Sequence, residues 1–156
     1  MTLAVATMEM ARTWHAVPRQ SMNTYVTGRV TNGSGLALLP GHANIFIGPD
    51  LIGSSAMGFV APRETAEVYL GVDETVKVTR ELDGKESGKT LFSKRKRLEM
   101  SYSIAVENLR AGPAEVSIHE ALPVSEDERV AVRAVSIKPR PDSEERGLLR
   151  WDLHLQ

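Results

Sequence analysis

Runs in which apolar and polar residues alternate strictly constrain this chain more than any other feature it carries. Val76 and Val78 are flanked by Thr75, Lys77 and Thr79. Tyr102, Ile104 and Val106 alternate with Ser101, Ser103, Ala105 and Glu107. Val116 and Ile118 alternate with Glu115, Ser117 and His119. Leu149, Trp151, Leu153 and Leu155 alternate with Arg150, Asp152, His154 and Gln156. Successive side chains of a strand point to opposite faces, so each run is a strand with one face on a core and one in water. That is the habit of antiparallel sheets. The stretch Tyr25–Gly53 adds three or four short strands joined by tight turns. Asn32-Gly33 lies between two strand-like runs, where that pair suits a type I′ turn with two residues at positive φ. Pro40-Gly41, Gly48-Pro49 and Gly112-Pro113 mark further turns. The expected fold is all-β: an antiparallel sandwich of short strands with a long basic hairpin loop. Only Arg63–Ala66 has the look of a single helical turn.

A chain of 156 residues suits one domain, so residues 1–156 are expected to form a single sandwich-like unit. A body of this size buries roughly 70% of its unfolded surface and needs no staples. Cysteine is absent, which excludes disulfides and thiolate metal sites and fits a reducing compartment. The net charge of −1 gives no reason to expect nucleic acid or an anionic membrane as partner. No apolar run is long enough to span a bilayer. The opening residues lack a basic flank followed by an apolar block, so the chain is expected in the cytoplasm. Two polar segments read as loops: Asp83–Arg97, a hairpin tip, and Lys138–Arg146, a Pro-rich linker.

The chemical motifs are weak. Gly84–Thr90 imitates a phosphate-binding loop, but only three residues separate Gly84 from Gly88, and such a loop must open a helix. Residues 85–97 carry six basic side chains against one acid. Lys89, Lys94, Arg95, Lys96 and Arg97 are therefore the candidate binding residues, for a polyanion gripped by charge. The bland reading is a solvated hairpin end that discourages edge pairing. His15, His42, His119 and His154 form no metal-binding spacing, and neither metal nor cofactor is expected. Asp73-Glu74, Asp127-Glu128 and Glu144-Glu145 are adjacent pairs; neighbours on a strand face opposite ways, so none is a catalytic couple by itself. Gly53–Ala56 lacks the nucleophile-elbow pattern and reads as a strand with a twist or bulge. Asn32-Gly33-Ser34 matches a glycosylation sequon, but a turn explains it. Trp14 and Trp151 read as core or rim packing.

An ordered series of short words resembles the C-terminal domain of the mucoidy inhibitor A family, a domain of unknown function. It runs His15–Arg19, Val30–Asn32, Leu38–Gly41, Ala43–Phe46, Ile52-Gly53, Leu70–Asp73, Val76–Val78, Val106–Asn108, Leu122–Ser125 and Gly147–Trp151. The resemblance covers roughly residues 14 to 156 and implies a β-rich sandwich-like domain with no transferable catalytic residues. The family name implies a link to exopolysaccharide production. Family chains are usually longer and carry an earlier block rich in Trp and Tyr; without it, sheet edges would lie open. The expected partner is a protein or a second copy, joined by strand addition. Two rivals are a carbohydrate-binding or glycoside-active domain and the polyanion binder. The first needs two carboxylates roughly 5 to 9 Å apart or a tryptophan lying flat in a groove.

Overall fold

The computed structural model describes residues 5–89, 96–125, 127–134 and 136–156, and among these every regular element is a strand. The strands are β1 (Met10–Ala16), β2 (Thr24–Thr31), β3 (Gly41–Ile47), β4 (Asp50–Met57), β5 (Thr65–Val72), β6 (Val76–Lys89), β7 (Lys96–Asn108), β8 (Ala114–Ala121), β9 (Ser143–Glu145) and β10 (Leu148–Leu155). They make a six-stranded sheet in the order β5-β2-β1-β8-β10-β9 and two separate ribbons, β3-β4 and β6-β7.

The alternation read from the sequence sets what faces inward. Trp14 and Ala16 of β1, Val26 of β2, and Val116 and Ile118 of β8 form one buried cluster with Val76 and Val78 of β6. Trp151, Leu153 and Leu155 of β10 pack against it, as do Ile104 and Val106 of β7. The core therefore lies between the large sheet and the base of the β6-β7 ribbon. Thr24, almost wholly buried, joins the two layers by donating its hydroxyl to the Val76 carbonyl at 2.8 Å.

Four local expectations change. First, β1 and β8 pair in parallel, with Trp14 opposite Val116 and Ala16 opposite Ile118; the other pairings are antiparallel. Second, Asn32-Gly33 is no two-residue hairpin. Asn32 is fully buried and its Nδ2 donates to the carbonyls of Leu36, Val60 and Ala61 at 2.8, 3.1 and 3.2 Å. Its Oδ1 accepts from the Ser34 amide and hydroxyl. An amide committed to holding a loop has no room for a glycan, which closes the sequon reading. The positive-φ pair expected there occurs at Arg146-Gly147 (φ 49° and 80°), the turn from β9 to β10. Third, of the residues expected to make a helical turn, Arg63 (φ 68°) and Glu64 end a loop and Thr65-Ala66 open β5. Asn32 and Arg63 hold this loop through a backbone bond of 2.8 Å. Fourth, of the polar segment Asp83–Arg97, residues 83–89 and 96–97 are strand, while residues 90–95, where the tip was expected, lie outside the described residues. The β6-β7 ladder runs past the sandwich to Lys89 opposite Lys96, so Gly84–Lys89 opens no helix and cannot act as a phosphate loop. The Lys138–Arg146 segment also contributes structure: it supplies β9, and Pro139 accepts a hydrogen bond from the Trp151 indole at 3.0 Å. Gly48-Pro49 forms the β3-β4 turn as expected, and β4 carries an irregularity beside Gly53.

Candidate functional site

The outer face of the large sheet is polar. Register places His15 of β1 beside Ser117 of β8, and Ser117 beside Asp152 of β10. His119 stands one step further along β8, opposite Arg150. The rings of His15 and His119 lie 6.2 Å apart between centroids. A shallow depression of about 240 Å³ opens here, with Arg29 and Glu67 on its far side.

This arrangement has the parts of a catalytic site in the wrong wiring. The Ser117 hydroxyl donates to Asp152 Oδ1 at 2.8 Å. A serine has one hydrogen to give, so at the 3.2 Å contact with His119 Nε2 the imidazole N–H must donate to the serine oxygen. A histidine that donates to serine cannot take its proton. His119 is also held below its ordinary pKa, first by burial, then by the positive potential of His15 and Arg150, against the opposing pull of Asp152. The two carboxylates of the depression, Glu67 and Asp152, stand on β5 and β10, four strands apart in the sheet order. At about 4.8 Å per strand their backbones are ~19 Å apart, a gap that two short side chains do not close to either geometry of glycoside hydrolysis.

The other candidates resolve into structural roles. Asp73 accepts from the Trp14 indole at 2.9 Å and from Arg110 Nη1 at 3.2 Å, and closes a turn with the Thr75 amide at 2.9 Å. Burial is the largest single influence on its carboxyl and opposes ionisation. Hydrogen bonds from Thr75 and Trp14, with the charge of Arg110, outweigh it and hold the pKa below the usual value. Trp14 is in the core and Trp151 packs against it, so neither is a sugar platform. Asp127 pairs with Arg129 at the surface. Among the described residues no three potential ligands gather for a metal, and no helix is long and apolar enough to cross a membrane.

Of the basic candidates, Lys94 and Arg95 lie outside the described residues. The backbones of Lys89, Lys96 and Arg97 are strand, with Lys89 opposite Lys96 and Gly88 opposite Arg97.

The surface that sequence reasoning missed is apolar. The inward face of the β6-β7 ribbon keeps its hydrophobic alternation after the large sheet ends beneath it. Val78 and Val106 are opposite each other in the core. Next come Arg80 and Ile104, where Arg80 Nε reaches Glu120 of β8 at 2.9 Å and its guanidinium lies 3.8 Å over the Tyr102 ring. Beyond that pair the same face shows Leu82 opposite Tyr102, then Met100, then Leu98. These four are 44 to 54% exposed, against 3% or less for Val76 and Val78 at the base. The signal was present as the alternation of Leu98, Met100 and Tyr102. It was masked by the glycines and charges of the partner strand, which read as loop.

Residues 4–156 match the family described as a domain of unknown function, DUF4139. No curated protein and no solved structure gives a match.

Proposed function

Because the chain belongs to the DUF4139 family of domains of unknown function, we propose from its surfaces that it is a non-enzymatic β interaction module, one unit across residues 1–156. Its docking surface is the overhang of the β6-β7 ribbon. The observation that carries this is the stripe of Leu82, Leu98, Met100 and Tyr102, half exposed on a face that is core at its other end. Contiguous apolar surface on an open strand is what strand-adding partners use. The kinship to the mucoidy inhibitor A family, a role in exopolysaccharide or envelope processes and a cytoplasmic site of action belong to the same proposal. The ordered series of family-like words and the absence of cysteine support them.

The test replaces Leu98 and Met100 together by Lys. Both are half exposed, so the thermal midpoint is expected to stay within a few degrees of the parent. Chemical cross-linking of purified protein, alone and in extract, should yield an adduct with the parent chain that the variant loses. Identical adducts from both would sink the reading.

A second reading has its own support: register brings Lys89 and Lys96 together at the far end of the ribbon, with Lys94 and Arg95 between them in sequence. A polyanion held there would leave with rising salt. Retention on a sulfated-polysaccharide column should fall steeply with salt and vanish when Lys94–Arg97 are all Ser. Unchanged retention of that variant would remove this reading.

A further inference from the structure

We infer that the occupant of the ribbon overhang is a second copy of this chain, paired antiparallel along the outer edge of β7 about a two-fold axis at Met100. The inference rests on the interaction reading above and names its partner.

Among the described residues, β7 pairs with β6 only, so its other edge offers unpaired backbone groups. The edges of β6, β9 and β4 are blunted or covered. β6 is interrupted between Leu82 and Gly84, leaving Asp83 bulged out of register, and it contains Gly84 and Gly88. A bulge bends a strand and stops pairing along it. β9 is a three-residue strand, Ser-Glu-Glu. β4 runs beside β5, where the Tyr69 amide reaches the Ser55 hydroxyl at 3.5 Å. β3 is open, but its exposed face presents His42, Asn44 and Phe46 in turn, and its apolar Ala43 and Ile45 on the other face are partly buried, so it shows no exposed apolar stripe. β7 carries no bulge of its own in its ladder.

Self-pairing is favoured because the stripe is symmetric. An isologous contact requires a surface that complements itself. With the dyad at Met100, Met100 faces its own copy and Leu98 faces Tyr102 of the other chain. The two β7 stripes become one apolar strip across the paired edges, flanked by Leu82 of each β6, while Lys85 stands beside Met100 on the outer strand of each ribbon. On the opposite face Glu99 falls against Ser101, so the two copies of this acid are not directly opposed. A dyad at Leu98 would set Lys96 against Met100. A dyad at Tyr102 would set Met100 and Leu98 against Ile104 and Val106, which are already packed on the core. Pairing from Arg97 to Ser103 spans roughly seven residues, about 24 Å of strand. That is a small interface, so a micromolar or weaker dimer is expected.

The chain has no cysteine, which allows a clean test. Met100→Cys should form a disulfide dimer readily in a glutathione redox buffer, because self-opposed residues bring their Cα atoms to about 5 Å. Leu98→Cys and Tyr102→Cys should each link poorly alone, their copies lying ~14 Å apart along the strands. They should link to each other when mixed. Sedimentation of the parent chain should show a dimer that Met100→Lys weakens at least tenfold. Efficient self-linking of Leu98→Cys, or equal linking at all three sites, overturns the dyad. A parent chain that stays monomeric to about 1 mM overturns self-pairing altogether. The interaction reading then stands or falls separately, on whether a foreign adduct disappears in the Leu98 and Met100 variant.

Discussion

Replacing Asn32 tests the claim that a buried side-chain amide, rather than a turn, organises the loops between β2 and β5. Its two N–H groups serve three carbonyls, of Leu36, Val60 and Ala61, and its oxygen accepts two bonds from Ser34. Asn32→Ala removes about four hydrogen bonds at ~1 kcal/mol each. The three carbonyls have other donors: the Ser34 hydroxyl, released from Asn32, for Leu36, the Leu38 amide for Val60 and the Glu64 amide for Ala61. No orphaned-acceptor penalty is therefore added, and the expected loss is about 4 kcal/mol. For a chain of this size that lowers Tm by roughly 8 to 16 °C. The assay is thermal unfolding followed by far-ultraviolet circular dichroism. Asn32→Asp sharpens the test, because the shape is kept while an oxygen replaces the nitrogen that faces three carbonyl oxygens. Burial beside those oxygens raises the folded pKa of the new carboxyl above its unfolded value near 3.9. A raised carboxyl pKa destabilises fully above the folded pKa and is relieved as pH falls toward the unfolded one. Asn32→Asp should therefore be at least as damaged as Asn32→Ala at pH 7 and recover toward the parent near pH 4. A Tm drop under about 3 °C for Asn32→Ala, or a pH-independent deficit for Asn32→Asp, would refute the reasoning.

Three further outcomes are expected. Asp73 has a lowered folded pKa, so its contribution is complete above the unfolded pKa near 3.9 and is lost as pH falls through the folded value; Asp73→Asn should flatten the acid limb of a Tm-versus-pH curve, and an unchanged limb would count against the Trp14–Asp73–Arg110 network. His119 also has a lowered folded pKa, so the unfolded chain binds its proton first and stability should fall as pH drops below about 6.5; His119→Gln should lose less between pH 7 and 5 than the parent, as read by the same thermal scans. Gly71 sits at φ 99° with only a loose 3.6 Å contact awaiting a Cβ, so Gly71→Ala should cost roughly 1–3 kcal/mol in urea unfolding through backbone strain. Gly53, with open space around a Cβ and no positive φ, is the control, and equal effects at both positions would contradict the strain account.

The strands were legible because their signal is local. Val76, Val78, Ile104, Val106, Val116 and Ile118 point inward in the structure as their spacing says. The parallel β1-β8 pairing was not legible. The two strands are about a hundred residues apart, and a period of two is the same whichever way a neighbour runs. Asn32-Gly33 misled for a related reason. Asparagine and glycine favour a turn when nothing else competes, but the buried Asn32 binds the backbone of nearby Ser34 and Leu36 together with that of Val60 and Ala61, which only the fold brings close. At Arg146-Gly147 the opposite happened: arginine is a poor signal for positive φ, yet closing β9 on β10 requires it.

By itself the sequence determined that this chain is all-β, which residues face a core, and where several turns fall, because side-chain alternation and backbone preferences act over a few residues. Tertiary structure alone decided which apolar faces found a partner. Leu82, Leu98, Met100 and Tyr102 carry the same pattern as Val76, Val78 and Val106, and differ only in lying where the large sheet no longer reaches. Burial depends on what stands opposite, and that is settled by the whole fold.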